Sequence, residues 1–165
     1  MGKDRFRISL TKVNSALGWR ARLFFQINLH VKDRGLLESV KDYLGVGKIH
    51  SSGKNLIQFR IQTSDELAVL IKHFDIFPLL TNKRADYLLF KEAYELVIKN
   101  EHLTKKGLLK IVSLKASLNW GLSKQLKDAF SDIIPARRVT DFSVISLDCN
   151  WIAGFSTAEI FCRNN

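Results

Sequence analysis

An α+β fold is the architecture the sequence predicts: a ββαββα unit whose four-stranded antiparallel sheet carries helices on one face and leaves the other face open. Two observations predict it. Strand-like stretches sort apolar from polar residues by parity, and the order strand, strand, helix occurs twice before Pro78.

The clearest strand is residues 19 to 30. Trp19, Ala21, Leu23, Phe25, Ile27 and Leu29 alternate with Arg20, Arg22, Phe24, Gln26, Asn28 and His30, so one side is apolar and the other polar, with Phe24 the single exception. Upstream, Phe6, Ile8 and Leu10 alternate with Arg5, Arg7, Ser9 and Thr11. Residues 13 to 18 contain Asn14, Ser15 and Gly18, which favour a turn, so the two strands read as a long antiparallel hairpin.

Asp33 stands at the cap position of a helix in which Leu36, Leu37, Val40, Tyr43 and Leu44 form one apolar stripe, ended by Gly45 and Gly47. A second strand pair follows, residues 46 to 51 and 55 to 63, joined by a turn at Ser52, Gly53 and Lys54. In the longer strand Ile57, Phe59 and Ile61 oppose Gln58, Arg60 and Gln62. Thr63 and Glu66 have capping-box spacing, and Leu67, Leu70, Ile71 and Phe74 recur at helical spacing.

Beyond Pro78 the spacing of Tyr87, Phe90, Tyr94 and Val97 predicts a helix over 83–100. Thr104 caps another, with Leu108, Ile111, Val112 and Leu118 on its apolar side. These read as packing helices, and no partner marks Glu92, Glu95 or His102 for catalysis. At Asn119, Trp120 and Gly121 the helix breaks. Residues 119–150, with a short polar helix near 123–130, read as a linker ahead of residues 151–165.

Charge narrows the function. The chain has 165 residues, 46% hydrophobic, enough for one domain with a sizeable core, and a formal net charge of +10. Among the first thirty-one residues the only acid is Asp4. A solvated sheet face ordinarily mixes signs, so this bias points to a polyanion, and arginines on strands favour nucleic acid over a membrane surface. With no apolar stretch of membrane-spanning length and no secretory pattern at the start, neither a membrane nor secretion is indicated. Cys149 and Cys162 are too few for a disulfide framework, and no Cys/His cluster has zinc spacing.

The open face offers the residue types that read a major groove, Arg for guanine and Gln or Asn for adenine. Candidate readers of double-stranded DNA are Arg5, Arg7, Ser9, Arg20, Arg22, Gln26, Asn28, Gln58, Arg60 and Gln62, with Lys12, Lys48 and Lys54 on phosphates. His30 and His50 read as surface strand residues.

The last motif runs Trp151-Ile152-Ala153-Gly154-Phe155-Ser156-Thr157-Ala158-Glu159. Its small residues at Ala153, Gly154 and Ala158 would let another backbone approach one face of a helix, with Glu159 just beyond. This motif resembles the signature helix of the LAGLIDADG homing endonucleases. Phe25-Gln26-Ile27-Asn28-Leu29-His30, Tyr43-Leu44-Gly45-Val46-Gly47-Lys48-Ile49, Phe77-Pro78-Leu79-Leu80, Asn100-Glu101-His102-Leu103-Thr104 and Leu118-Asn119-Trp120-Gly121-Leu122 are similar to further family segments in the same order.

The resemblance implies a saddle-like sheet, with residues 1–118 as a DNA-binding domain that lacks its own signature helix, 119–150 as linker and 151–165 as terminal signature helix. It also implies Glu159 as catalytic acid and ligand of a divalent metal, Mg2+, in cleavage of double-stranded DNA. One acid is half a site, so a second copy or second chain would pair through the terminal helix. Three functions stay open: an endonuclease half, a DNA-binding remnant that does not cleave, and an intron RNA-binding maturase. A mitochondrial, organelle-encoded origin is a further implication.

Overall fold

The computed structural model describes residues 5–79 and 82–139. Glu159 with the signature helix expected at 151–165, both cysteines and residues 140–150 lie outside the described residues.

Four strands form one antiparallel sheet: β1 (Arg5–Lys12), β2 (Trp19–His30), β3 (Lys48–Ser51) and β4 (Leu56–Ile61), in the order β1-β2-β4-β3. The helices are α1 (Arg34–Leu44), α2 (Ser64–Ile76), α3 (Asn82–Ile98), α4 (Lys105–Ser117) and α5 (Lys124–Ala129). The predicted ββαββα order and antiparallel sheet are therefore observed.

Parity sets what each strand buries. Phe6, Ile8, Leu23, Phe25, Ile57, Phe59 and Ile61 all face the helices, and each is at most 6% exposed. From the helical layer Leu37, Leu70, Phe90, Ile111 and Leu114 meet them in one core. Phe6 is an aromatic hub, its ring 5.2 to 5.6 Å from Phe25, Phe74, Tyr87 and Phe90.

Local chemistry fixes the helix ends. Thr63 and Glu66 form the reciprocal capping box at α2, and Thr104 caps α4 by accepting from the Gly107 amide at 3.0 Å. Gly45 ends α1 in the left-handed conformation, φ 69°. Two expectations shift. Asp33 occupies the cap position of α1 without making a side-chain bond, because a turn of 3-10 helix over Val31–Asp33 precedes it. β4 stops at Ile61, leaving Gln62 exposed beyond it, since the capping box draws the chain away into α2.

The segment after α5 is tied to α3 and α4. Ser113 and Ser117 hydroxyls donate to the carbonyls of Ile134 and Ala136 at 2.6 and 2.5 Å. Arg138 donates to the Ser117 carbonyl and lies 3.0 Å from the buried Asp86 carboxylate of α3. Leu126 of α5 is 4% exposed. Among the described residues no helix is long and apolar enough to cross a membrane.

Two titratable groups at the C-terminal end of α2 make stability depend on pH. His73 packs against Tyr43, Phe74 and Phe77, and burial holds its imidazole below the ordinary 6.5. A base depressed by folding loses stability as the pH falls below that ordinary value. Asp75 is held below 3.8, first by the hydrogen bond from Lys91 and then by that from Tyr87. Its contribution is present above 3.8 and is lost as the pH falls from there toward the lowered value. Urea unfolding from about pH 8 down to about pH 2 should therefore weaken in two stages. His73→Leu should remove the first and Asp75→Asn part of the second, a small effect because the Asp75–Lys91 pair is partly exposed. An acid limb identical in all three proteins would contradict the assignment.

Candidate nucleic-acid interface

Strand register turns the polar parity of each strand into rows across the open face. One row crosses all four strands, with Arg5 opposite Gln26, Gln26 opposite Arg60 and Arg60 opposite Lys48. A second joins Asn28, Gln58 and His50. Toward the hairpin turn follow Arg7 with Phe24, Ser9 with Arg22, and Thr11 with Arg20. No strand carries an acid: every Asp and Glu from Asp33 to Asp132 lies on a helix, on a helical turn or after α5.

The side chains are pre-arranged. The guanidinium carbon of Arg60 lies 4.0 Å from the Phe24 ring centroid, and that of Arg7 is 5.6 Å from the same ring. Arg60 Nε is buried with no hydrogen-bond partner, so the stack on Phe24 fixes the guanidinium plane in place of a hydrogen bond. Gln58 Nε2 donates to Asn28 Oδ1 at 2.8 Å, which leaves the Asn28 amino group and the Gln58 carbonyl oxygen for an outside partner. Beside this face a groove of about 400 Å³ is lined by Arg22, Phe24, Arg60, Gln62 and Tyr94 among others.

The remaining candidates sit around this centre. Arg7, Arg20 and Arg22 are exposed and Ser9 is half-buried. Gln26 lies in the four-strand row but is only 5% exposed, covered by its neighbours. Lys12 has the parity of the core side but stands exposed at the hairpin end, Lys54 is exposed in the β3–β4 turn, and Lys48 is exposed on the edge strand. His30 and His50 are exposed on strands. On the helices, Glu92 is bound by Lys110 at 2.8 Å, a structural ion pair.

Glu159 lies outside the described residues, and among those described no group of three His, Cys, Asp or Glu side chains could hold a metal ion. The sequence reading missed the Arg60–Phe24 stack, although Phe24 as the one aromatic on the polar side was its signal.

Fold and face together define a class of α+β domain: an antiparallel sheet whose described strands carry cations and no acid, backed by helices and suited to lie against a polyanion. The chain belongs to the LAGLIDADG endonuclease family, whose model matches residues 2–94. It is similar to probable intron-encoded endonuclease 3 of Neurospora crassa, 43% identical over 162 residues, 96% of this chain and 30% of that protein. A second relative is an uncharacterized 50.9 kDa protein in ND4 intron 1 of Podospora anserina, 40% identical over 103 residues, 61% of this chain and 23% of that protein. Among solved structures it is similar to the LAGLIDADG meganuclease I-AabMI bound to uncleaved DNA. That match has 57% identity and a TM-score of 0.85, and covers 95% of this chain and 53% of the other. The chain thus spans less than a third of these curated relatives and about half of that meganuclease chain.

Proposed function

We propose that this chain is a DNA-recognition half of a homing endonuclease, laying its open sheet face along the major groove of double-stranded DNA. The observation that carries the reading is the four-strand row of Arg5, Gln26, Arg60 and Lys48 on a sheet whose four described strands carry no carboxylate. Arg60, held flat by Phe24, is the base reader with the most defined geometry, and the Asn28–Gln58 pair offers a donor beside an acceptor to a base edge. In this reading Lys48, Lys54 and Lys12, exposed at the margins, contact phosphates, which position the duplex without reading it.

Phosphodiester cleavage is the proposed activity of the whole protein, supported by family membership and by the relative named as an intron-encoded endonuclease. In this reading Glu159 is the catalytic acid and contributes to a site for a divalent ion, Mg2+. Such an ion, when bound, supplies an activated water and stabilises the leaving oxygen. The other acid is supplied from outside these 165 residues, for instance by a second copy or a second chain paired through residues 151–159. A relative in a fungal ND4 intron supports a mitochondrial origin.

The test is to select duplexes from a randomised pool and incubate the selected sites with protein and magnesium. The proposal expects a consensus, metal-dependent nicking, and a Glu159→Gln variant that keeps its affinity but does not nick. Binding without nicking at any selected site would leave a DNA-reading remnant. Tighter binding to structured RNA than to any duplex would overturn the groove assignment in favour of a maturase.

A further inference from the structure

At the outer edge of β1, the end strand among the described residues, a recess of about 130 Å³ is lined by Arg7 and Ile8 of β1 with Lys115, Leu118, Asn119 and Trp120 from the end of α4 and the turn after it. Its wall is fixed. The Asn119 amide donates to the Phe6 carbonyl at 2.7 Å, closing part of the strand edge, and Asn119 itself is left-handed at φ 51°. Trp120, 86% exposed, stands at the rim.

Among the described residues the recess is lined by two cations and no acid. Lys115 is half-buried, and the charged group acting on it is the Arg7 guanidinium, a like charge. Burial first, and Arg7 second, hold the Lys115 ammonium below its ordinary pKa. Ion pairs among the described residues join Arg34 to Glu38, Lys91 to Asp75, Lys110 to Glu92 and Arg138 to Asp86, so neither Arg7 nor Lys115 is compensated there. The C-terminal dipole of α4 attracts Lys115 weakly and does nothing for Arg7. Two like charges converging on a partly desolvated recess are unfavourable until an anion comes between them.

We propose that Arg7 and Lys115 form a phosphate-binding site that takes one phosphodiester of the bound duplex at the β1 edge. A recess of this volume has room for a phosphate group, since a water occupies about 30 Å³ of liquid. The guanidinium fork and the ammonium supply charge-assisted donors of the kind phosphate oxygens accept. Arg7 is then a phosphate contact, not a base reader, and the duplex footprint extends from the sheet onto the end of α4. The inference rests on the duplex-binding reading above for the source of the phosphate, but the recess itself can be tested without DNA.

Two measurements decide it. In the first, the chain with isotopically labelled lysine is titrated with inorganic phosphate and the Lys115 side-chain resonance is followed by NMR. A saturable shift with a raised Lys115 pKa is expected, abolished in Arg7→Met. No response of Lys115 to phosphate overturns the site whether or not DNA binds. In the second, affinity for a selected duplex is measured against salt for the wild type, Lys115→Met and Lys115→Arg, with folding checked by melting. Lys115→Met should make the slope of log affinity on log salt shallower by about one, with equal losses for the consensus and its single-base variants, and Lys115→Arg should retain the slope. An unchanged slope in Lys115→Met, or a loss confined to one base pair, overturns the proposal while leaving duplex recognition by the sheet intact. A wild type that binds no duplex defeats the functional reading instead, and the phosphate titration still judges the recess.

Discussion

Phe59→Ala is expected to cost about 3–5 kcal/mol, a large part of the roughly 5–15 kcal/mol that holds a domain folded. Phe59 is fully buried at the centre of β4, the strand that pairs with both β2 and β3. Its removal leaves a void that the sheet cannot close without breaking register on two sides. The same ring also sets its neighbour. Gly47 is left-handed at φ 91°, and a Cβ there would fall 2.5 Å from Phe59 Cε2. Gly47→Ala therefore meets both backbone strain and a ring held in the core. The two substitutions should couple: Phe59→Ala removes the ring clash and leaves only the backbone strain and a 3.0 Å approach to Ile61, so the double variant should be less destabilised than the sum of the singles. Urea denaturation of the four proteins measures this. A Phe59→Ala loss below about 1 kcal/mol, or strict additivity, would mean that the core is not packed as described.

Arg60→Ala carries the second large effect, on recognition. A well-placed arginine contact to a base discriminates by about 1–3 kcal/mol, so affinity for the preferred duplex should fall roughly 5- to 150-fold. The loss should be concentrated at one base pair, where the variant tolerates any base. Arg60→Lys should not restore discrimination, because an ammonium neither stacks on Phe24 nor presents a planar fork. Phe24→Leu should reproduce part of the loss at the same base pair while Phe24→Tyr retains it, which a purely structural role for Phe24 would not do. Lys48→Ala and Lys54→Ala are the contrast, expected to weaken all sequences alike and to lower the salt dependence. A loss spread evenly over all positions in Arg60→Ala would place Arg60 on the phosphate backbone.

Much of this architecture was legible because it is local. The parity of residues 19 to 30 is written in the chain, and so are the capping box of Thr63 and Glu66, the left-handed stop at Gly45 and the break at Asn119. Each depends on neighbours a few residues away. The terminal motif was legible only by resemblance, and Glu159 lies outside the described residues.

The interface is less legible because it is made by register. Phe24 stacks with Arg60 only because β2 pairs with β4 from Phe25 onward, and Gln26, on the polar side of its strand, is nevertheless buried in the middle of the sheet. Alternation shows which side a residue takes, not which residue stands opposite. The recess of Arg7 and Lys115 is further from view, since it joins the first strand to the end of α4. Seating of residues 134–138 on Ser113 and Ser117 was hidden for the same reason: two helix hydroxyls carry no signal of their partner.

The most direct test of the claim that the open sheet face reads duplex DNA is a selection from a randomised duplex pool, run in parallel on the wild type and Arg60→Ala. The account predicts a defined consensus for the wild type, and for the variant the same consensus with one base pair released. No consensus for the wild type, or an identical consensus for both proteins, would contradict it.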